Sequence, residues 1–310
     1  MLSAEINSNL VRYLSKNKFS VVFGQNLISG SRISGLGKNL DKIKDVYAFN
    51  STNTENSLMG LGFGLAIQGM NSFYVMKQHD FALLGLDQLT NTNKLTKALK
   101  VKGTFTILMV VVDSGYEGPQ SNLYNLNEFS SLINSPIYLL NCSKSIEKAF
   151  ASTESPLRIF AVSQKYLKAE LEENNRTQVG NSGFLKEGSS TDPHTSVALV
   201  NFGLISENYY KTKSYLIDRK FNPTSYIQWR IDSSFEAHAL DYLLSIDQDK
   251  IIIFDDCKSK TRHSSFFGEL AKLKNKQVLM FNHRDDIDFL KISVDLPKLD
   301  YNLIDSMISS

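Results

Sequence analysis

The sequence predicts an α/β protein of two domains, a mostly parallel sheet flanked by helices followed by a smaller α/β unit. Three observations predict it. Short β-branched and aromatic runs alternate with helical patterns between residues 20 and 162, the order that successive βαβ units produce. The run from Thr104 to Val112 is apolar almost throughout, as a strand covered on both faces must be. A polar stretch rich in Gly, Ser and Asn at residues 171–194 then separates this alternation from a second, shorter one, and it holds too few apolar side chains to build a core. The expected division is a domain at residues 1–170, a linker at 171–194 and a second domain at 195–310.

Leu2, Ile6, Leu10, Val11 and Leu14 recur at helical spacing, so residues 2–16 read as an amphipathic helix. Residues 19–23 read as a buried strand that stops at Gly24. The loop at 24–39 is rich in Gly and Ser, yet it is not a phosphate loop. A Walker pattern ending at Gly37-Lys38 needs glycine where Arg32 stands and Ser or Thr where Asn39 stands. Residues 46–49 form a second strand, after which the polar run Asn50-Ser51-Thr52-Asn53-Thr54 delivers Glu55 to an apolar helix carrying Gly60, Gly62 and Gly64. Thr54 or Ser51 is expected to cap that helix, whose N-terminus favours a carboxylate. Its glycines are not a dinucleotide fingerprint, because Leu65 holds the third glycine position.

Residues 72–76 give a third strand, Lys77-Gln78-His79-Asp80-Phe81 a turn, and residues 82–99 a helix. The strand at 104–112 empties into a loop at 113–125, and a helix at 126–133, a strand at 137–140, a helix at 146–151 and a strand at 157–162 close the first domain. In the second, strands are expected at 196–202, 224–229, 250–254 and 278–282, and helices at 207–219, 235–245 and 264–273. Leu296, Leu299, Tyr301, Leu303 and Ile304 are expected to pack back as a tail. Because ligands gather at the carboxyl ends of parallel strands, the segments at 24–39, 50–55, 77–81 and 113–125 share one rim.

Composition narrows the function. At 310 residues, 42% hydrophobic and 21% charged, the chain has the balance of a globular protein rather than a disordered one. A net charge of +2 gives no argument for nucleic acid or an anionic membrane as partner. No run approaches the roughly 18–20 apolar residues of a membrane span, and Met1-Leu2-Ser3-Ala4-Glu5 does not open like a signal peptide. Cys142 and Cys257 lie far apart, outside any metal-ligand spacing, and fit a reducing compartment. The expected location is therefore the cytoplasm, with no protein-held metal.

The order of features carries a resemblance. The segment Asn50 to Ala66 resembles the "(N/D)xxxAExxMxGxAxGLA" run of thiamine-diphosphate enzymes of the transketolase group, with Glu55 on its glutamate and Met59-Gly60 and Gly64-Leu65-Ala66 following. Asp80-Phe81 with Asp87-Gln88 and Asn91 resemble the family's "(T/D)F…DQ…N" helix, and Gly24-Gln25-Asn26 its "GED". Asn201-Phe202-Gly203 and Trp229-Arg230 resemble the "(T/S)YG" and "(L/P)R" turns of the family's C-terminal domain. The likeness implies a pyrimidine-binding domain followed by a transketolase C-terminal-type domain. The "GDG" that helps bind diphosphate and magnesium in the family does not occur in the sequence. The chain thus resembles a β-type subunit, as in 2-oxoacid dehydrogenase E1 or two-chain transketolases. An α-type partner would supply the site for thiamine diphosphate and Mg2+, in an α2β2 assembly.

The resemblance also implies roles. Glu55 would hydrogen-bond the cofactor's aminopyrimidine and so promote activation of the thiazolium, which serves as electron sink; otherwise Glu55 only complements the helix dipole. Phe81 would stack on the aminopyrimidine, with Gln78 and Thr54 beside it, unless Phe81 is plain core. Asp87 and Gln88 would support the fold near the subunit interface. Relatives carry an aromatic at the position of Gln78, and the loop at 113–125 lacks the histidine that handles substrate oxygen. His79 could take that histidine's place, or be a hydrogen-bonded loop residue. Gln120 and Tyr124 are the candidates for substrate contact, and His263 beside Arg262 for a partner or an anionic substrate group. The implied activity is ketol (two-carbon) transfer or related ketose or 2-oxoacid chemistry, in a dedicated biosynthetic pathway. An E1 β subunit of a 2-oxoacid dehydrogenase and a catalytically silent partner subunit are the alternatives.

Overall fold

The computed structural model describes residues 1–17, 19–113, 126–170, 176–188, 196–232, 235–255, 276–282 and 298–309. The expected helix at 264–273, as well as Cys257 and Leu296, lies outside the described residues. The chain divides into two compact units, residues 1–114 with 128–172 and residues 115–127 with 173–310.

The first unit opens with helix α1 (Leu2–Lys16), strand β1 (Ser20–Gly24), strand β2 (Val46–Asn50), helix α2 (Glu55–Ile67) and strand β3 (Asn71–Met76). Helix α3 (Asn93–Leu99), strand β4 (Phe105–Val111), helix α4 (Leu126–Ile133), strand β5 (Ile137–Leu139), helix α5 (Ser143–Ala151) and strand β6 (Leu157–Ser163) complete it. Its strands pair in the order β5-β6-β4-β3-β1-β2, every pair parallel. All residues of β1, β4 and β6 are buried, which explains why each is apolar at nearly every position; of the exceptions, Thr106 and Arg158 bond to each other.

Register sets what each face carries. Phe23 pairs with Phe49 and Tyr74, and its ring stacks between theirs at 5.8 and 5.3 Å. Phe105 pairs with Ser72, two residues before Tyr74, so it lies on the same face. There it meets α2, where a Cβ on Gly62 would fall 2.2 Å from the Phe105 ring. Phe73 points to the opposite face, where α1 covers it through an edge-on contact with Tyr13 at 5.3 Å.

Two local expectations change. Phe19, read as the start of β1, is exposed at φ 58° with its N–H on the Asp45 carbonyl, and the strand begins one residue later. The helix expected over 82–99 is three pieces: a 3₁₀ turn (His79–Gly85), a π turn (Gln88–Thr92) and α3. Side-chain hydroxyls and amides intervene in its ladder. Thr90 Oγ1 donates to the Leu86 and Asp87 carbonyls, Thr92 Oγ1 to Gln88 Oε1, and Asn91 Nδ2 to Asp87 Oδ1. Such bonds offer the backbone alternatives to a regular helix.

The second unit holds strands β7 (Thr177–Gln178), β8 (Phe184–Glu187) and β9 (Val197–Phe202), helix α6 (Glu207–Asp218), and strands β10 (Thr224–Gln228) and β11 (Arg230–Ile231). Helix α7 (Phe235–Ser245), strands β12 (Lys250–Asp255) and β13 (Gln277–Asn282) and helix α8 (Tyr301–Ser309) follow. Its sheet runs β13-β12-β9-β10-β8-β7, parallel through β10 and antiparallel beyond. Residues 176–188, read from sequence as linker, are thus an ordered edge of this sheet. Arg176 anchors them, its Nε donating to Glu187 Oε2 at 3.0 Å. Residues of α7 pack with Val200, Tyr226 and Ile253 on one face, and residues of α6 and α8 with Leu199, Ile252 and Phe254 on the other. Of the tail, Leu299 and Ile304 pack as expected, whereas Leu303 is exposed and Tyr301 lies against Tyr215 at 4.3 Å between ring centroids.

Candidate active site

Because β1 to β4 run parallel, the segments leaving β1, β2 and β3 emerge at one edge of the first sheet. The segment leading from β2 to α2 is held down by backbone and amide bonds. Ser51 N–H donates to the Gly24 carbonyl at 3.0 Å, Ile28 N–H to Asn50 Oδ1 at 3.0 Å, and Asn50 Nδ2 to Ser29 Oγ at 2.6 Å. This ties the 25–39 loop to the approach to Glu55.

Glu55 is the first residue of α2 and 5% exposed. Its carboxylate makes no hydrogen bond and no salt bridge with any of the described residues. It stands in the first turn of α2, where the helix dipole favours a negative charge. Thr54 is the N-cap, but its side chain does not cap. Its hydroxyl sits 3.2 Å from that of Thr52, and the residue is exposed. The Tyr74 phenol, buried on β3, is pushed well above its ordinary value by desolvation and further by the Glu55 charge. Sequence reasoning missed Tyr74, although the two-residue period of β3 places it on the face that α2 covers.

The second half of the site is the turn after β3. Gln78, His79 and Asp80 are all buried, an uncommon run of consecutive polar side chains withdrawn from water. His79 Nδ1 lies 3.2 Å from Asp80 Oδ2, and Gln78 Nε2 donates to the same oxygen at 3.5 Å. Phe81 is half-buried at the start of the 3₁₀ turn, its N–H donating to the Gln78 carbonyl. Gly85 docks this turn on the first turn of α2. A Cβ there would lie 2.5 Å from Met59 Cγ and 3.5 Å from the Glu55 carbonyl oxygen. Gln88 reaches α2 as well, its Cδ 3.9 Å from where a Cβ on Gly60 would stand. The structure therefore brings Glu55, Gln78, His79 and Phe81 onto packed neighbouring elements. Gln120, Tyr124 and His263 lie outside the described residues.

Asp113, just past the end of β4, has its carboxyl raised above the ordinary 3.8 by burial, against the pull of the Ser163 hydroxyl and the Lys165 N–H. Among the described residues no group of three or more His, Cys, Asp or Glu side chains could hold a metal ion. The residues present do fit a protonatable, flat heteroaromatic ring. The Glu55 carboxylate has no hydrogen-bond partner among the described residues, and a ring nitrogen would supply one, while the half-buried Phe81 offers an apolar ring on the turn that packs against α2.

No protein-family model matches the sequence. No curated protein matches it either. Among solved structures the chain is similar to a split-gene transketolase described as an inactive β4 tetramer, with TM-score 0.56 and 13% identity over 99% of this chain and 92% of that one. It is also similar to a transketolase from Campylobacter jejuni subsp. jejuni, with TM-score 0.61 and 12% identity over 92% of this chain and 42% of that one. At these identities the likeness shows the fold, which is that of transketolase-type α/β domains.

Proposed function

We propose that the chain is the pyrimidine-binding, β-type half of a two-chain thiamine-diphosphate enzyme that transfers a two-carbon ketol unit or performs related ketose or 2-oxoacid chemistry. The observation that carries the reading is Glu55, a residue only 5% exposed whose carboxylate has no hydrogen-bond partner among the described residues, at the edge of a parallel sheet where the segments leaving β1, β2 and β3 emerge. When bound, thiamine diphosphate would supply a nucleophilic carbon and an electron sink. Glu55 would hydrogen-bond the aminopyrimidine nitrogen and share a proton with it. Phe81 would stack on the ring and Gln78 would help fix its orientation, with Thr54 at the mouth. His79 would exchange a proton with a substrate oxygen. Diphosphate and Mg2+ would be held by the partner.

The surface supports a partner subunit. Helix α2 is apolar on all sides, yet Leu61, Gly64 and Ile67 remain exposed on it. Leu83 and Leu84 are exposed on the adjoining turn, Leu84 at 63%. A helix apolar all round belongs in an interior, and contiguous exposed apolar surface marks a protein contact. The split-gene transketolase is itself described as a tetramer. An E1 β role shares all of this geometry, and a silent subunit would keep the fold and the contact without the chemistry.

Calorimetric titration of thiamine diphosphate with Mg2+ into the chain alone and into the chain assembled with its partner tests the proposal. Weak binding alone, tight binding in the assembly and weakened binding with Glu55→Gln are expected. Tight binding to the isolated chain would refute the split-site reading, and no binding in any assembly would leave only the silent subunit.

A further inference from the structure

The buried Gln78-His79-Asp80 run contains an acid to which no role has been given. Asp80 is 3% exposed and His79 1%. The carboxylate lies 3.2 Å from His79 Nδ1 and accepts from Gln78 Nε2. Adjacent residues rarely meet in this way. Here the 3₁₀ turn beginning at His79 withdraws both side chains from water, and Gly85 seats that turn against α2. A neutral imidazole carries its proton on one nitrogen and accepts on the other, and a carboxylate beside one nitrogen draws the proton there.

We propose that Asp80 is a positioning residue for His79. Its carboxylate keeps a proton on Nδ1, which makes Nε2 the basic nitrogen, and Gln78 holds the carboxylate in place. What carries it is the 3.2 Å approach of two groups withdrawn from water; the Nδ1–H is not in line with Oδ2, so the pull on the proton is electrostatic. The consequence for catalysis, that His79 presents Nε2 to a substrate oxygen in place of a histidine absent from the 113–125 loop, rests on the function proposed above. The arrangement has the logic of a carboxylate that fixes the tautomer of a catalytic imidazole, compressed into two consecutive residues.

The test reads the tautomer before it reads activity. Long-range proton–nitrogen NMR spectra of the full chain labelled in histidine nitrogen, with His79→Gln for assignment, are compared for wild type, Asp80→Asn and Asp80→Ala. Expected is the Nδ1–H form in wild type, retained in Asp80→Asn, whose amide oxygen still accepts, and a shift toward the Nε2–H form in Asp80→Ala. A wild-type His79 in the Nε2–H form, or spectra unchanged by Asp80→Ala, would overturn the proposal. In the assembled enzyme Asp80→Ala is then expected to lower kcat by about 10- to 100-fold with KM nearly unchanged, and Asp80→Asn by less. The expected tautomer together with an assembly that neither binds thiamine diphosphate nor turns over would sustain the Asp80–His79 pair and overturn the enzymatic reading instead.

Discussion

Two glycines in α2, two residues apart, should respond in opposite ways to the same substitution. Gly62 is buried against β4, and a methyl group there would fall 2.2, 2.4 and 2.5 Å from three carbons of the Phe105 ring. Carbon atoms pack at about 3.5–4 Å, so the ring would have to retreat by roughly 1 Å. It has nowhere to go, since Phe105 is fully buried and Phe63 packs edge-on against it at 5.1 Å. Overpacking of this kind costs about 1–3 kcal/mol. Gly64 has nothing within 4 Å of an added methyl group, and Gly→Ala in an open helix interior gains about 1 kcal/mol. Both variants share that helical gain, so their difference isolates the steric cost. Urea unfolding of the single chain should place Gly62→Ala about 1–3 kcal/mol below Gly64→Ala. Equal stabilities, or Gly62→Ala the more stable, would refute the packing of α2 on β4 and with it the placement of Glu55.

Further outcomes follow from the charges and the exposed face. Burial holds the Asp113 carboxyl above its ordinary 3.8. The unfolded chain therefore ionises first, and wild type loses stability as pH rises from about 4 through the folded value. Asp113→Asn should be more stable than wild type at pH 7, with the gain vanishing below pH 4 in thermal unfolding across pH. Burial pushes Glu187 up, but Lys213 and Arg176 outweigh it and leave it below 4.5, so its contribution is present above that value and lost as pH falls through the folded one. Glu187→Gln should cost about 1–3 kcal/mol at neutral pH by leaving the buried Arg176 guanidinium less compensated, and less in acid, where wild type weakens too. Leu84→Asp should leave the unfolding midpoint of the single chain nearly unchanged and weaken co-purification of the partner at least tenfold; an unaffected assembly would remove that surface from the interface.

Much of the fold was legible because burial writes itself into composition. The nearly continuous apolar run of β4 could only be a covered strand, and the helical spacing of Leu2, Ile6, Leu10 and Leu14 gave α1 its full length. What escaped depended on partners distant in sequence. Nothing local in residues 176–188 announces a strand pair; they are ordered because β10 offers an edge and Glu187 meets Arg176 and Lys213. Nor could periodicity foresee that Thr90, Asn91 and Thr92 would redirect the helix at 82–99 through their side chains. In the site, Glu55 and Phe81 stood out as motif residues. Tyr74 did not, and Asp80 entered only as the residue before Phe81 with no role of its own, since each matters through what it faces, and that is fixed by the stacking of β3 under α2 and by the 3₁₀ turn.

Exchange of the thiazolium C2 proton of thiamine diphosphate, followed by NMR in deuterated water with Mg2+ and the chain assembled with its partner, tests the role of Glu55 most directly. Wild type should accelerate exchange, and Glu55→Gln should slow it by about 100-fold or more, the scale of a lost acid–base group. Exchange at the wild-type rate in Glu55→Gln would contradict the account, because the buried carboxylate would then be a helix-terminal charge and nothing more.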